Sequence, residues 1–403
     1  MAGGSPPATD RDTQLDRNRR WSEVRSVLAV RLDSIGDVLM TTPALRAIRA
    51  SVPAARLTLL TSRAGAEVAR HVPEVDATIA HDVPWMKATA PGALPGAELA
   101  LIDMLRGRFD AAIVFTVHSQ DPLPAALTCF LAGIPLRLAQ SRESPYQLLT
   151  DWIPDPEADA PTRHEVRRQL DLVAAVGYAT PDTHLSFRIP ADASERVEAR
   201  LDGLGLGAGL GRHRAWAVLH PGASAASRRY PADRFAAAGR QLARDGWRFV
   251  VTGTADDAPI VASVAAGIGA AAHSLAGALD LAELAALIAH APLVITNNTG
   301  PAHLAAAVGT PVVDVYAMTN LQHAPWRTAH RLVVHDVPCR GCRKSTCPLG
   351  HHACLLAIPP EAIVDAVRDL AETGAHGRRA TETTETARDG QPEPTSLGPV
   401  LPA

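Results

Sequence analysis

The sequence predicts an α/β protein built from two Rossmann-like halves whose parallel sheets face a central cleft. Three observations carry that expectation. Short apolar, β-branched runs recur along the chain, amphipathic stretches separate them, and the series occurs twice, on either side of a Gly-rich piece at 203–211. Buried strands alternating with helices are the pattern of a parallel sheet covered on both faces. With 403 residues the chain is long enough for two domains with ample cores.

In chain order, residues 1–22 are polar, rich in Pro, Asp and Arg, and read as a disordered tail. An N-terminal half follows at 23–180. Its strands are expected at 27–32, 57–60, 77–80, 111–115 and 136–139, with helices at 38–50, 64–69, 98–105, 123–131 and 164–177. Residues 181–214 read as an interdomain linker. The second half, 215–372, has strands expected at 215–219, 249–252, 293–296 and 312–316, and helices at 231–245, 258–268 and 281–289. Pro359, Pro360 and Glu361 open a last helix to about Leu370, and 373–403 again reads as a disordered tail.

Composition narrows the function. A net charge of -3, with Lys only at Lys87 and Lys344, offers no polybasic surface for nucleic acid. No signal-peptide core and no run of about 18 apolar residues is present, so the expected location is the cytoplasm, with at most peripheral membrane contact. No G-x-G-x-x-G follows the first strand, which disfavours an NAD-dependent dehydrogenase.

Four stretches carry chemistry. At 294–304 a β-branched run stops at Asn297, Asn298, Thr299 and Gly300, and Pro301 opens an Ala-rich helix. The first N–H groups of such a helix have no internal partner and the dipole is positive, so the turn suits a phosphate; it equally suits an ordinary βα turn. The first strand ends in Arg31, Leu32, Asp33, Ser34, Ile35, Gly36 and Asp37. Asp37 is either a helix cap or a carboxylate that takes a proton from a hydroxyl, with Asp33 a rival for that role. At 220–231, small residues including Gly222 and Ser224 precede Arg228 and Arg229, a phosphate-contacting loop or a solvated basic one. After the strand at 249–252, Asp256 and Asp257 read as a helix cap or as acceptors for ribose hydroxyls.

The residues at 32–39 with 42–46 resemble the N-terminal signature of glycosyltransferase family 9, the ADP-heptose:lipopolysaccharide heptosyltransferases. Residues 297–305 resemble its donor-binding signature, and 221–224 with 228–231 a third block, all in order between about Ser26 and Leu370. The resemblance implies a GT-B fold and an inverting, metal-independent transfer. It implies Asp37 as the base and Arg228, where the family has Lys, neutralising the leaving diphosphate. Ser224, Thr299, Gly300 and His303 would lie at the diphosphate, and Asp256 or Asp257 at the ribose. The implied partners are a nucleotide sugar, ADP-heptose, and a saccharide or lipid-linked saccharide acceptor of the lipopolysaccharide inner core. Asn298 departs from the family, which has Asp there; the shape is kept and the charge lost. That leaves open another nucleotide sugar, or a non-catalytic nucleotide-sugar binding protein.

Cys339, Cys342, Cys347 and Cys354 are spaced C-x2-C-x4-C-x6-C with His351 and His352 between them. They would suit a structural zinc; a reduced loop or disulfides are the alternatives. Cys129, on an apolar helix face, reads as core.

Overall fold

The structure, a computed structural model, describes residues 10–87, 95–155, 163–207, 215–320 and 322–381. Two six-stranded parallel sheets form its centre. The first holds β1 (Ser26–Arg31), β2 (Arg56–Thr61), β3 (Ala77–Ala80), β4 (Ala111–Val114), β5 (Leu136–Ser141) and β6 (Asp151–Pro154), in the order β3-β2-β1-β4-β5-β6. The second holds β7 (Trp216–His220), β8 (Arg248–Gly253), β9 (Ala272–Ala276), β10 (Val294–Asn297), β11 (Val312–Val315) and β12 (His330–Val333), in the order β12-β11-β10-β7-β8-β9. In each sheet the first strand lies at the middle and the order reverses beside it. Loops leaving β1, β7 and β10 therefore open at a switch point, where ligands of such sheets bind.

The helices are α1 (Asp10–Ser22), α2 (Ile35–Ser51), α3 (Arg63–Ala69), α4 (Pro95–Leu105), α5 (Leu123–Leu131), α6 (Glu165–Ala174) and α7 (Ala191–Gly203) in the first part. The second part has α8 (Ala232–Arg244), α9 (Ala258–Ile268), α10 (Leu281–His290), α11 (Gly300–Val308), α12 (Ala353–Leu356) and α13 (Pro360–Thr381). Helix α2 runs through Pro43, whose missing N–H leaves the Leu39 carbonyl without its helical donor. The Thr42 hydroxyl donates to that carbonyl at 2.7 Å instead. One apolar cluster runs from α2, through Leu39 and Leu45, to Leu287 and Leu304 of α10 and α11, so the two halves share a continuous core. Cys129 is core, as expected, and burial pushes its thiol up to about 12.

Four boundaries differ from the sequence expectation. Residues 10–22 are not a disordered tail but helix α1: Trp21 is fully buried, and its indole N–H donates to Asp151 at 3.0 Å. The helix is otherwise polar, which is why it read as disorder. The 181–214 linker contains α7, fixed to α10 by Arg196 with Glu283 at 2.8 Å; residues 208–214 lie outside the described ones. Helix α13 continues beyond 372, to Thr381, and the expected tail from 382 on lies outside the described residues. Strands β6, β9 and β12 escaped the reading because all three are sheet edges, where half-exposed residues such as 272–276 carry no continuous apolar run.

Candidate functional site

The turn after β1 builds one wall. Ser34 is the residue before α2, in extended conformation, and Asp37 is the third residue of the helix. The helix-capping alternative for Asp37 therefore does not hold: its carboxylate faces side chains. Arg31 donates to it at 3.2 Å and the Ser34 hydroxyl at 3.0 Å. Arg31, at 0% exposure, is the hub. Its guanidinium stands 3.0 Å from Asp33, 3.2 Å from Asp37 and 3.2 Å from the fully buried Glu165 of α6. A lone buried guanidinium would be prohibitively desolvated, and three carboxylates around it offset that cost.

The three carboxyls are driven apart. Burial lifts Asp33, against the pull of Arg31, to about 6. Burial would lift Asp37 too, but Arg31 and then His323 outweigh it and hold that carboxyl below its ordinary range. Glu165 resists burial in the same way, through His323 and Arg31, and falls to about 2. Asp37 is thus the ionised carboxylate with a side chain 17% exposed toward the cleft. Asp33, the rival, is turned to the Gln120 amide and more deeply buried.

The opposite wall is α11. Its N-terminus packs on the N-terminus of α2: a Cβ added to Gly36 would lie 2.6 Å from His303 Cδ2, and one on Gly300 would lie 3.3 Å from Ile35 Cγ2. Two helix N-termini meeting across a cleft make a strongly anion-favouring point. Burial first, and then the neighbouring His323, push the His303 imidazole down to about 3, so it is neutral; Asp37 and Arg228 also act on its ring. Arg228 is half-buried; its N–H donates to the Ala225 carbonyl at 2.9 Å, and its guanidinium makes no hydrogen bond or ion pair among the described residues. Its charge reaches His303, Asp314 and Tyr316. Asn297 fixes this loop by donating to the Pro221 carbonyl at 2.8 Å and accepting from Tyr230 N–H at 3.0 Å.

Several buried polar atoms have no hydrogen-bond partner among the described residues: Thr299 Oγ1, His303 Nδ1, Asp314 Oδ1, Thr319 Oγ1 and Asn320 Oδ1. Natural interiors pair nearly all such atoms, and two of these, Thr299 Oγ1 and His303 Nδ1, belong to the start of α11, where a bound polar ligand would satisfy them. Asn298 donates to Asp314 at 3.3 Å and to the His323 carbonyl at 2.9 Å.

Other expected residues lie at the rim. Ser224 is exposed on the 221–229 loop. Asp257 accepts from Thr254 N–H at 3.1 Å and from its hydroxyl at 2.8 Å, so its carboxylate belongs to the turn, against Gly222. Asp256 is exposed and unengaged among the described residues, which favours it for any ribose contact. Reading the sequence missed Glu165, His323 and Asp314, and Arg31 was noticed without a role; all four are far apart in sequence or set in apolar runs.

The four cysteines expected as zinc ligands are free thiols lining one small cavity with His351 and His352. The donor set is one zinc takes. Yet among the described residues no three His, Cys, Asp or Glu side chains converge as metal ligands do, and Cys339 Sγ stands 3.9 Å from His351 Nε2. Backbone bonds also hold this loop. Gly341 and Arg343 N–H donate to Met318 and Thr319 carbonyls at 2.7 and 2.8 Å, and the Ser227 hydroxyl donates to the Lys344 carbonyl at 2.6 Å. The loop thus braces the turn that carries Arg228.

Residues 99–353 match the family "Glycosyltransferase family 9 (heptosyltransferase)". Lipopolysaccharide heptosyltransferase 2 of Escherichia coli K12 is 26% identical over 85% of this chain and 98% of its own length. Lipooligosaccharide heptosyltransferase 2 of Campylobacter jejuni is 36% identical over 21% of this chain, and the chain spans only 27% of that relative's length. The solved structure of E. coli ADP-heptose LPS heptosyltransferase II shares the fold, with a TM-score of 0.65 at 21% identity over 87% of this chain and 99% of that one. With the expected motifs gathered at one cleft between two such sheets, the chain belongs to glycosyltransferase family 9 and has its GT-B fold.

Proposed function

We propose that this glycosyltransferase moves heptose from ADP-heptose to a hydroxyl of a saccharide acceptor, with inversion, and that the acceptor is an inner-core sugar of lipopolysaccharide. The observation that carries the reading is the ionised Asp37 carboxylate opposite Arg228 and the α11 N-terminus, with neutral His303 between. In this reading the acceptor hydroxyl gives its proton to Asp37 as its oxygen bonds the anomeric carbon. The bond from that carbon to the diphosphate breaks on the far side, and the diphosphate leaves with the electron pair. Arg228 and the Thr299 and Gly300 N–H groups stabilise the departing oxygens. The transition state has oxocarbenium character, as in glycoside hydrolysis.

Because Asp37 is held at low pKa, it becomes an effective base only late, when bonding to the anomeric carbon has acidified the hydroxyl. Arg228 and these N–H groups take the charge that a metal would otherwise bear, so transfer is read as metal-independent, and the expected result is turnover unchanged by a chelator; its loss in chelator would overturn that reading. Among the described residues no helix is long and apolar enough to cross a membrane, in keeping with peripheral access to a lipid-linked acceptor. The names of the E. coli relatives support ADP-heptose and lipopolysaccharide.

A second reading, a different nucleotide sugar, is favoured by the neutral Asn298 at the donor wall. Calorimetric titration with ADP, UDP and GDP separates them. ADP preference, weakened about ten-fold or more by Arg228→Ala, supports the heptosyl reading; preference for UDP or GDP overturns it. No nucleotide binding would leave only a degenerate relative.

A further inference from the structure

Asp314 is an unusual occupant of β11. It sits in the run Val312–Val315, pairs in register with Thr296 of β10 and Leu332 of β12, and is fully buried between valines. One of its oxygens, Oδ1, has no partner. The other accepts from the Asn298 amide at 3.3 Å. A buried carboxylate with so little support is costly, so its place calls for a use beyond packing.

The Asn298 amide shows what that use is. Its Nδ2 also meets the His323 carbonyl at 2.9 Å, and a carbonyl only accepts, so the amide orientation is dictated by chemistry. Both amide hydrogens are thereby directed toward Asp314 Oδ2 and the His323 carbonyl, and Oδ1 takes the remaining direction. Asn298 Oδ1 accepts no hydrogen bond among the described residues, and it belongs to the residue directly before Thr299 at the start of α11.

We propose that Asp314 is a positioning residue that locks the Asn298 amide so that Oδ1 faces the donor pocket as a neutral acceptor for a hydroxyl of the bound nucleotide sugar. A carboxyl is thus kept behind Asn298, within reach of the Arg228 charge. This rests on the cleft being the donor site. It also has a sharp consequence. An aspartate at 298 would put a carboxylate oxygen where the Asn298 nitrogen now stands, 3.3 Å from Asp314 Oδ2, so Asn298→Asp alone sets two buried carboxylates against each other. Exchanging both residues restores one carboxylate and one amide across the contact with position 314 but leaves an oxygen facing the His323 carbonyl, so the recovery is partial. Burial pushing the Asp314 carboxyl up to about 7, against Asn298 and Arg228, accords with a group that tolerates no second negative neighbour.

The test is a four-member cycle: wild type, Asn298→Asp, Asp314→Asn and the double exchange. Each is measured by calorimetric titration with ADP and ADP-heptose and by thermal unfolding. Asp314→Asn takes away one of the amide's two acceptors, leaving the His323 carbonyl, and is expected to loosen the amide and reduce the sugar-dependent part of the affinity about ten-fold, leaving ADP binding within about two-fold. Asn298→Asp is expected to weaken ADP-heptose binding and lower the unfolding midpoint, and the double exchange to recover both relative to it. If the double variant is no better than the sum of the singles, or Asp314→Asn keeps the full sugar-dependent increment, the proposal is overturned. If the wild type binds ADP-heptose no better than ADP, donor recognition by Asn298 fails with the functional reading. The midpoints of the cycle then show separately whether the two residues are coupled.

Discussion

Replacing Arg31 with methionine removes the guanidinium that contacts Asp33, Asp37 and Glu165 together while roughly keeping its volume. All three carboxylates stand within 3.0 to 3.2 Å of the guanidinium, and Arg31 and Glu165 are fully buried. Breaking a buried ion pair by deleting one partner costs about 3–5 kcal/mol, because the remaining charge is uncompensated. In a half of this size about 1 kcal/mol moves the midpoint by roughly 2–4 °C, so calorimetry should show a fall of about 6–20 °C near neutral pH. Part of the loss should return in Arg31→Met/Glu165→Gln, which takes one charge out of the cluster. The chemistry should shift as well. Without Arg31 the burial of Asp37 is opposed mainly by His323, so its carboxyl rises and the acid limb of the kcat/KM profile moves to higher pH. A midpoint within about 2 °C of wild type, with an unmoved acid limb, would refute the view that Arg31 holds Asp37 ionised.

Gly36→Ala tests the contact between halves: its Cβ would lie 2.6 Å from His303 Cδ2, so closure should be disfavoured by about 1–3 kcal/mol, read as weaker ADP-heptose affinity and lower turnover. Trp21→Ala, measured by denaturant titration, should cost about 3–5 kcal/mol, far beyond what a dispensable tail allows. Acid should unfold the protein early. His164 and His220 are buried and pushed down to about 4, and His303 to about 3, by desolvation. Their folded values lie below the ordinary 6.5, so the stability they confer is full above pH 6.5 and is lost as pH falls toward 4, on the order of 3 kcal/mol for each of His164 and His220. Glu165 adds a second loss below pH 4.5, as its lowered carboxyl takes up a proton. A midpoint flat from pH 7 to 4.5 would contradict this.

The strand-turn-helix junctions at 31–37 and 297–303 were legible because their signals are local: a β-branched run, a tight polar turn, an apolar helix start. The same locality explains the correct reading of the central strands, which are buried on both faces and so continuously apolar. Glu165 and His323 were not legible, because they reach the site only when α6 and the 322–324 segment meet, through the Glu165 N–H to Gln322 carbonyl bond at 3.0 Å. Asp314 hid inside an apolar run, where one charged residue looks like an interruption. Trp21 lay in a stretch whose polarity outvoted its single buried ring. The cysteine spacing meets the sequence condition for zinc, and folding brings the four thiols to one cavity with His351 and His352.

The most direct test of the account is sugar transfer by wild type and Asp37→Asn, followed by mass spectrometry of the acceptor and release of ADP from ADP-heptose, with ADP affinity measured in parallel. The account predicts a loss of about 10²–10⁴-fold in transfer for Asp37→Asn, with ADP affinity within about three-fold of wild type. An Asp37→Asn protein that transfers at close to the wild-type rate would contradict it.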